Sequence, residues 1–392
     1  MGETPKPHLV TYRERLQIGG KPVDRDTFAR LAGEVLALAD RVANRHGEPT
    51  EFELLTAITF HWFAQAGIDL AVVEVGLGGR LDATHAWDGG VAVVTNVALD
   101  HTDRLGGTVA AIAREKAAII ERGDRAVTGA WGSALDVIER RSRRVGAPLT
   151  VVPPAPVRGV DRDGIEVEMG RLGSVRVGLR GRHQAANVAV ADATLDALEA
   201  AGIARVPGEA RRTGYAAVRW PGRLELVTVA GREVVLDGAH NPAGAAVLAE
   251  ALDDMAPFLR PGRPTLVLAI MADKDVDGVI GALASAALLR PARVICTEPA
   301  GGRALPAERL AARWAAATGQ TAEPIADPAA ALDAALSPGS GSCRGSGIGV
   351  GRGSGPIIVA GSLYLVGAAR AILVSDPMLE PDPPLPKPEV VP

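Results

Sequence analysis

The stretch from residue 70 to about residue 121 constrains the fold most. It begins LAVVEVGLGGRLDAT (Leu70–Thr84), runs through VAVVTNVALDHTD (Val91–Asp103) and ends AAIAREKAAIIERG (Ala110–Gly123). Its Val-rich runs, Leu70–Val75 and Val91–Thr95, read as strands buried on both faces of a parallel sheet. Polar groups gather where each run stops. Glu74, Gly76, Gly78, Gly79, Arg80 and Asp82 follow the first, and Asn96, Asp100, His101 and Asp103 follow the second. In open α/β sheets, ligands bind beyond the carboxyl ends of the strands. Glu74 and His101 are therefore expected at one crevice, where a carboxylate oxygen and an imidazole nitrogen can share a divalent ion. The glycines let backbone N–H groups approach a phosphate or carboxylate. A tight turn, a hydrogen-bonded loop histidine and a solvated Lys116 are the plainer readings of the same residues.

At 392 residues the chain has room for two or three domains. Aromatic residues make up only 3%, so the cores must be packed from Ala, Val and Leu. A net charge of −4 gives no reason to expect nucleic acid or an anionic membrane as a partner. Cys296 and Cys343 make neither a disulfide framework nor a zinc cluster, which favours a reducing compartment. MGETPKPHLV has no basic segment followed by an apolar one, and Lys6 breaks the myristoylation pattern. No run reaches about 18 apolar residues. The expected location is the cytoplasm.

In chain order, residues 8–18 alternate as an extended segment and Gly19-Gly20 turns. Asp26 is placed to cap a helix over 27–45. Thr50 and Glu53 form a capping-box pattern for a helix that ends near Gly67. Strands follow over Leu70–Val75 and Val91–Thr95, then a helix over 107–121. The strand–helix alternation continues to about 152. Residues 153–181 carry short alternating pieces and read as a small antiparallel excursion. Arg182–Gly202 is an amphipathic helix, and 208–217 is a second, short one. WPGRLE (Trp220–Glu225) reads as a hinge. Beyond it the βα alternation restarts with strands at Glu233–Leu236 and Thr265–Ile270 and near 292–296, 322–325 and 357–360. Pro242 suits the first turn of a helix. Residues 337–355 read as a flexible Gly/Ser-rich insertion, with phosphate binding the sharper alternative. The proline-rich tail from Pro377 reads as disordered.

Several motifs occur in one order: PHLV at 7–10, EVGLGGRLDAT at 74–84, LDHTD at 99–103, REKAAII at 114–120, HQAANVAVA at 183–191, PGRLE at 221–225, DGAHNP at 237–242, ADKD at 272–275 and GSLYLVGAAR at 361–370. Together they resemble the folylpolyglutamate synthase/dihydrofolate synthase family of the Mur-ligase superfamily, over about residues 7–374. The resemblance implies an α/β fold. A Mur-ligase-like P-loop-type parallel-sheet domain is expected over 1–218, and a smaller Rossmann-like domain over 219–376. It implies an ATP-dependent amide ligase acting on L-glutamate and a dihydropteroate or reduced folate, with two Mg²⁺ ions. No nucleic-acid or membrane partner is expected, and a monomer is.

Residue by residue, the resemblance makes Glu74 and His101 metal ligands. Lys116 becomes a carbamate that helps hold the second ion. Leu81, Asp82 and Ala83 line the pteroate site, and Asn187, Arg223 and Asp237 contact ATP. His240, as a catalytic group, and Lys274 lie in matching motifs.

The sequence also departs from the family pattern. The expected G-x-x-G-K-[ST] loop before the PHLV segment is not found. The only Gly-Lys pair is Gly20-Lys21, and Pro22 after it offers neither a hydroxyl nor an N–H. A first βα unit of roughly 40 residues is thus expected to be missing, and the chain as written to be inactive. Lys6 stands where the family has a metal-binding serine and is expected to repel the ion. His85 follows LDAT in place of the usual Asn. A non-catalytic folate- or nucleotide-binding protein and another Mur-type amide ligase are the alternatives.

Overall fold

The structure is a computed structural model that describes residues 1–299, 303–337 and 354–376. The tail 377–392 and all but the ends of the 337–355 stretch lie outside the described residues. The chain divides into two compact units, Met1–Gly76 with Arg370–Pro392, and Leu77–Ala369. Among the described residues no helix is long and apolar enough to cross a membrane.

In the first unit, strands β1 (Gly2–Thr4), β2 (Gln17–Ile18), β3 (Lys21–Pro22) and β4 (Ala71–Val73) form a sheet in the order β3-β2-β1-β4. Helices α1 (Arg25–His46) and α2 (Glu51–Ala66) pack as a hairpin, with Leu16, Val23, Leu31, Val35 and Ile58 in one core. α2 starts and stops as its sequence dictates. Thr50 and Glu53 make the reciprocal capping box, and Gly67 closes the helix in the left-handed conformation. α1 is capped by Asp24 rather than Asp26, because the Asp24 carboxylate reaches the Thr27 N–H at 2.9 Å.

Residues 8–18 are not extended throughout. Thr11 and Glu14 cap a 3₁₀ turn over Tyr12–Arg15, and this local capping overrides the alternating pattern. The run Leu70–Val75 is also less buried than its composition implies. Only Ala71–Val73 is strand, β4 pairs with β1 alone among the described residues, and Val72 is 57% exposed.

The second unit holds three sheets. The first is parallel, in the order β5 (Val91–Val94), β6 (Arg125–Thr128), β7 (Leu149–Val151). Its connections carry α3 (Thr102–Leu105), α4 (Val109–Ala117) and α5 (Gly132–Val145), so the helix expected over 107–121 is the shorter α4. The second sheet is the antiparallel excursion, β8 (Val157–Asp161), β9 (Gly164–Glu168) and β10 (Ser174–Val177). Helices α6 (Gln184–Ala200) and α7 (Gly208–Ala217) follow.

The third sheet contains β11 (Glu225–Val229), β12 (Arg232–Leu236), β13 (Arg263–Leu268), β14 (Arg293–Cys296), β15 (Ala322–Pro324) and β16 (Ser354–Ala360). Their order is β11-β12-β16-β13-β14-β15. It is served by α8 (Pro242–Met255), α9 (Val276–Ala284), α10 (Ala307–Thr318), α11 (Pro328–Leu336) and α12 (Leu363–Leu373). Every pairing from β12 to β15 is parallel. Val234, Leu266, Leu268 and Ile358 are fully buried, as strands covered on both faces require. Each such side chain contributes about 1.5–3 kcal/mol relative to exposure.

β11 was not expected. It pairs antiparallel with β12 through Ala230 and Gly231, both at positive φ, the geometry of a two-residue hairpin turn.

Candidate functional site

The loop after β4 is shaped by what it packs on. In the second unit, the Arg80 N–H donates to the Glu115 carbonyl at 3.2 Å, and the Arg80 guanidinium meets the Glu115 carboxylate at 3.1 Å. Both contacts tie the loop to the end of α4. A Cβ on Gly79 would lie 2.8 Å from the Glu115 carbonyl oxygen and 2.9 Å from Ile119 Cγ2, so only glycine fits.

Asp82 is buried. Its carboxylate accepts from the Leu77 N–H at 2.9 Å, the Thr84 N–H at 3.0 Å and the Thr84 hydroxyl at 2.6 Å. It organises its own loop. Leu81, by contrast, is 81% exposed, and Ala83 opens the following turn. Lys116 sits half-buried on α4, and no hydrogen-bond or ion-pair partner of its ammonium is found among the described residues.

The loop after β5 carries Asp100 and His101. His101 has φ 49° and ψ 41°, the left-handed region that histidine tolerates better than most residues. Burial, opposed by the Asp100 charge, holds its ring below its ordinary pKa, which favours the neutral, metal-competent imidazole.

Asp100 gathers two of the sequence motifs. Asn241 Nδ2 donates to its carboxylate at 2.9 Å and Lys274 Nζ at 3.1 Å, while His240 Nε2 stands 3.8 Å away. His240, Asn241 and Lys274 come from the loops after the parallel strands β12 and β13, which therefore open at the same sheet edge. The His240, Asn241 and Lys274 side chains hold the Asp100 carboxyl well below the usual carboxylate range, against the cost of partial burial. His240 is oriented by donation from Nδ1 to the Gly238 carbonyl at 2.8 Å.

Asp237 ends β12. Its carboxylate accepts from the Leu224 N–H and the Ala239 N–H, each at 2.9 Å. Burial pushes its pKa up, and those two amides oppose the rise. It thereby ties the PGRLE segment to the DGAHNP loop. Arg223 is exposed beside it, and its charge adds to burial in depressing the neighbouring His183, whose pKa falls to about 4.

A cavity of about 520 Å³ opens at the carboxyl ends of β5, β6 and β7, where parallel sheets place their ligands. Thr95, Asn96, Trp131, Pro153 and Asn187 are among its walls. Gly129 is needed there, because a Cβ would sit 2.7 Å from the Thr95 carbonyl oxygen. Asn187 Nδ2 donates to Gln184 Oε1 at 2.8 Å, and Gln184 Nε2 lies 2.9 Å from His183 Nε2. These contacts fix the amide at the start of α6. Asn96 is one of the polar groups the sequence places at a strand end, whereas Trp131 is not among the expected site residues. The only sequence signal of Trp131 is its position just after a strand.

Glu74 lies in the first unit. Its carboxylate accepts from the Lys6 N–H at 2.6 Å, and Lys6 Nζ donates to its carbonyl oxygen. The same ammonium lies 4.7 Å from the centre of the Phe52 ring. Among the described residues no three His, Cys, Asp or Glu side chains gather as a metal cage. Of the expected donors, the Glu74 carboxylate suits magnesium, which typically takes one or two carboxylates and completes its shell with phosphates and water, whereas the His101 imidazole lies outside its usual oxygen set. Lys6 works against it at Glu74.

Comparison with known proteins adds four observations. A family model described as "Mur ligase, glutamate ligase domain" matches residues 222–342. The dihydrofolate synthase/folylpolyglutamate synthase of Mycobacterium tuberculosis is 36% identical over 418 positions, spanning 96% of this chain and 81% of that protein. The M. tuberculosis folylpolyglutamate synthase structure complexed with ADP and AMPPCP superposes with a TM-score of 0.81 at 32% identity, covering 96% of this chain and 85% of that one. Escherichia coli FolC in complex with DHPP and ADP superposes with a TM-score of 0.76 at 29% identity, covering 95% and 81%.

Proposed function

We propose a reaction for a chain that belongs to the dihydrofolate synthase/folylpolyglutamate synthase family, whose members are ATP-dependent ligases. It joins L-glutamate to the carboxylate of a dihydropteroate or a reduced folate. A carboxylate is a poor electrophile, so its oxygen first takes the γ-phosphoryl group of ATP and ADP leaves. The glutamate amine then attacks the acyl carbon. The tetrahedral intermediate expels phosphate, the amine loses its proton, and an amide remains.

The observation that carries this reading is the cavity beside Asn96 and Asn187, in a chain whose structural neighbours were solved with adenine nucleotides. We assign Asn187, Arg223 and Asp237 to ATP. Asp237 acts by holding the loop that carries His240, and Leu81, Asp82 and Ala83 form the wall for the pterin-bearing substrate. Asp100, His240 and Lys274 set the sheet edge at which the reacting groups meet. Magnesium, when bound, neutralises charge on the transferring phosphoryl group. Glu74 and His101 would hold it, and a carbamate on Lys116 would serve a second ion. The division near residue 218 between an ATPase domain and a Rossmann-like domain, and a monomeric state, belong to the same proposal.

The 392 residues contain no G-x-x-x-x-G-K-[ST] stretch, and Lys6 occupies the neighbourhood of Glu74. We therefore propose that these residues alone grip the triphosphate weakly and turn over far more slowly than the relatives. Among the described residues β4 pairs on one side only and leaves Val72 exposed. The same features favour the second reading, a binding protein without catalysis.

Profiling with dihydropteroate, tetrahydrofolate and a UDP-linked muramoyl substrate tests the assignment. Glutamate addition to either pterin supports it. Activity with the muramoyl substrate alone makes the chain another Mur-type ligase, and adenosine binding without any turnover favours the second reading.

A further inference from the structure

The cavity at the ends of β5, β6 and β7 has one wall that nothing in the fold requires. Trp131 is 81% exposed, although it lines the cavity. It precedes α5 with extended backbone (φ −141°, ψ 168°) and makes no side-chain capping bond to the helix it introduces. Val151, at the end of the neighbouring strand and on the same cavity, is also left 45% exposed. Asn96 and Asn187 line the same cavity, and the Asn187 amide is fixed by Gln184. An aromatic face left in water in a cavity that also holds a fixed amide suits a planar heteroaromatic ring. The ring face meets the indole, and the ring-edge donors and acceptors meet the amides.

We propose that Trp131 stacks on the nucleobase and makes this pocket select a purine over a pyrimidine. This rests on the nucleotide reading given above. A bicyclic base covers more of the indole than a monocyclic one, and the cavity of about 520 Å³ accepts the larger ring together with its ribose. Base–aromatic stacking of this kind is lost about 5- to 100-fold in affinity on truncation to alanine. Because the side chain is so exposed, its removal leaves the packing of the second unit intact.

The test uses the whole chain with its tryptophans labelled with ¹⁵N, and adenosine as the probe, so that phosphate contacts do not enter. The chain has five tryptophans, and the Trp131 indole signal is identified by its loss in Trp131→Phe. Saturation-transfer signals report adenosine binding independently. The expected result is that adenosine binds and shifts the Trp131 indole signal upfield. Uridine binds at least 5-fold more weakly, Trp131→Ala weakens adenosine about 5- to 100-fold, and Trp131→Phe recovers part of that loss. If adenosine binds while the indole signal stays in place and Trp131→Ala binds within twofold of wild type, stacking is overturned and the nucleotide reading stands. If neither adenosine nor ADP binds the wild-type chain, the nucleotide reading falls and this proposal falls with it.

Discussion

Replacing Asp100 with Asn removes one charge from the cluster that joins three loops and keeps its shape. Lys274 Nζ lies 3.1 Å from the carboxylate, with the two side chains 16% and 28% exposed. At that distance the gross attraction is about 5 kcal/mol for an effective dielectric constant of 20. Desolvation and side-chain ordering take back most of it. Exposed pairs net about 0–1 kcal/mol, and breaking a fully buried pair costs about 3–5. A half-buried pair falls between, at about 1–2 kcal/mol.

The readout is local, because Asp100 accepts the N–H of His101 at 2.8 Å and the Arg104 and Leu105 amides both donate to the His101 carbonyl at 2.9 Å. Hydrogen exchange of a peptide covering 97–106, followed by mass spectrometry, should speed up about 5- to 30-fold in Asp100→Asn. Lys274→Met should do the same, and the double variant should add little to either single change. Unchanged exchange in Asp100→Asn, or fully additive effects, would refute the claim that this ion pair holds the loop.

Other outcomes follow from single contacts. Gly79→Ala forces a methyl group to 2.8 Å from the Glu115 carbonyl oxygen, so it should cost about 2 kcal/mol and lower the Tm by a few degrees; an unchanged melting curve would contradict the packing of that loop on α4. Lys6→Ser removes a cation from the neighbourhood of Glu74 and should strengthen Mn²⁺ binding in the presence of ADP about 5-fold, read by electron paramagnetic resonance; equal affinities would clear Lys6 of opposing the metal. His183 is held near 4 in the folded chain, by burial first and the Arg223 charge second, against an ordinary value of 6.5. The unfolded chain therefore binds the extra proton more readily. Stability on this account is full above about 6.5 and is lost as pH falls towards 4, by at most about 3 kcal/mol. His183→Gln should flatten that part of a Tm-against-pH curve, and a curve of unchanged slope would show that the ring does not drive it.

What the sequence made legible is local. Thr50, Glu53 and Gly67 bound α2 within one turn of chain, and Pro242 begins α8, because capping involves residues a few positions apart. The parallel strands of the third sheet were readable as continuous apolar runs because both faces are covered. β4 departs from its pattern for the matching reason: its composition is that of a central strand, but burial depends on how many neighbours pair with it, and Val72 remains exposed. Asp100, His240 and Lys274 each stand out in the sequence, but their gathering into one cluster is not readable there. The Asp100 partners Asn241 and Lys274 lie 141 and 174 residues away in sequence, and only the shared edge of parallel strands brings them together. Lys6 was expected to trouble a metal through its charge. The structure adds that its backbone and ammonium both engage Glu74, 68 residues on. Trp131 carried no signal, since one aromatic after a strand is ordinary until its exposure at a cavity is known.

The central claim is that ATP activates a carboxylate for attack by glutamate, and oxygen transfer tests it most directly. Dihydropteroate labelled with ¹⁸O in its carboxylate would be incubated with stoichiometric amounts of this chain, ATP, Mg²⁺ and L-glutamate, and the phosphate and pterin products weighed by mass spectrometry. The account expects slow, ATP-dependent formation of the glutamyl amide with one ¹⁸O passed to phosphate for each amide made. An amide formed without label in the phosphate, or ATP hydrolysis with no glutamate adduct, would contradict it.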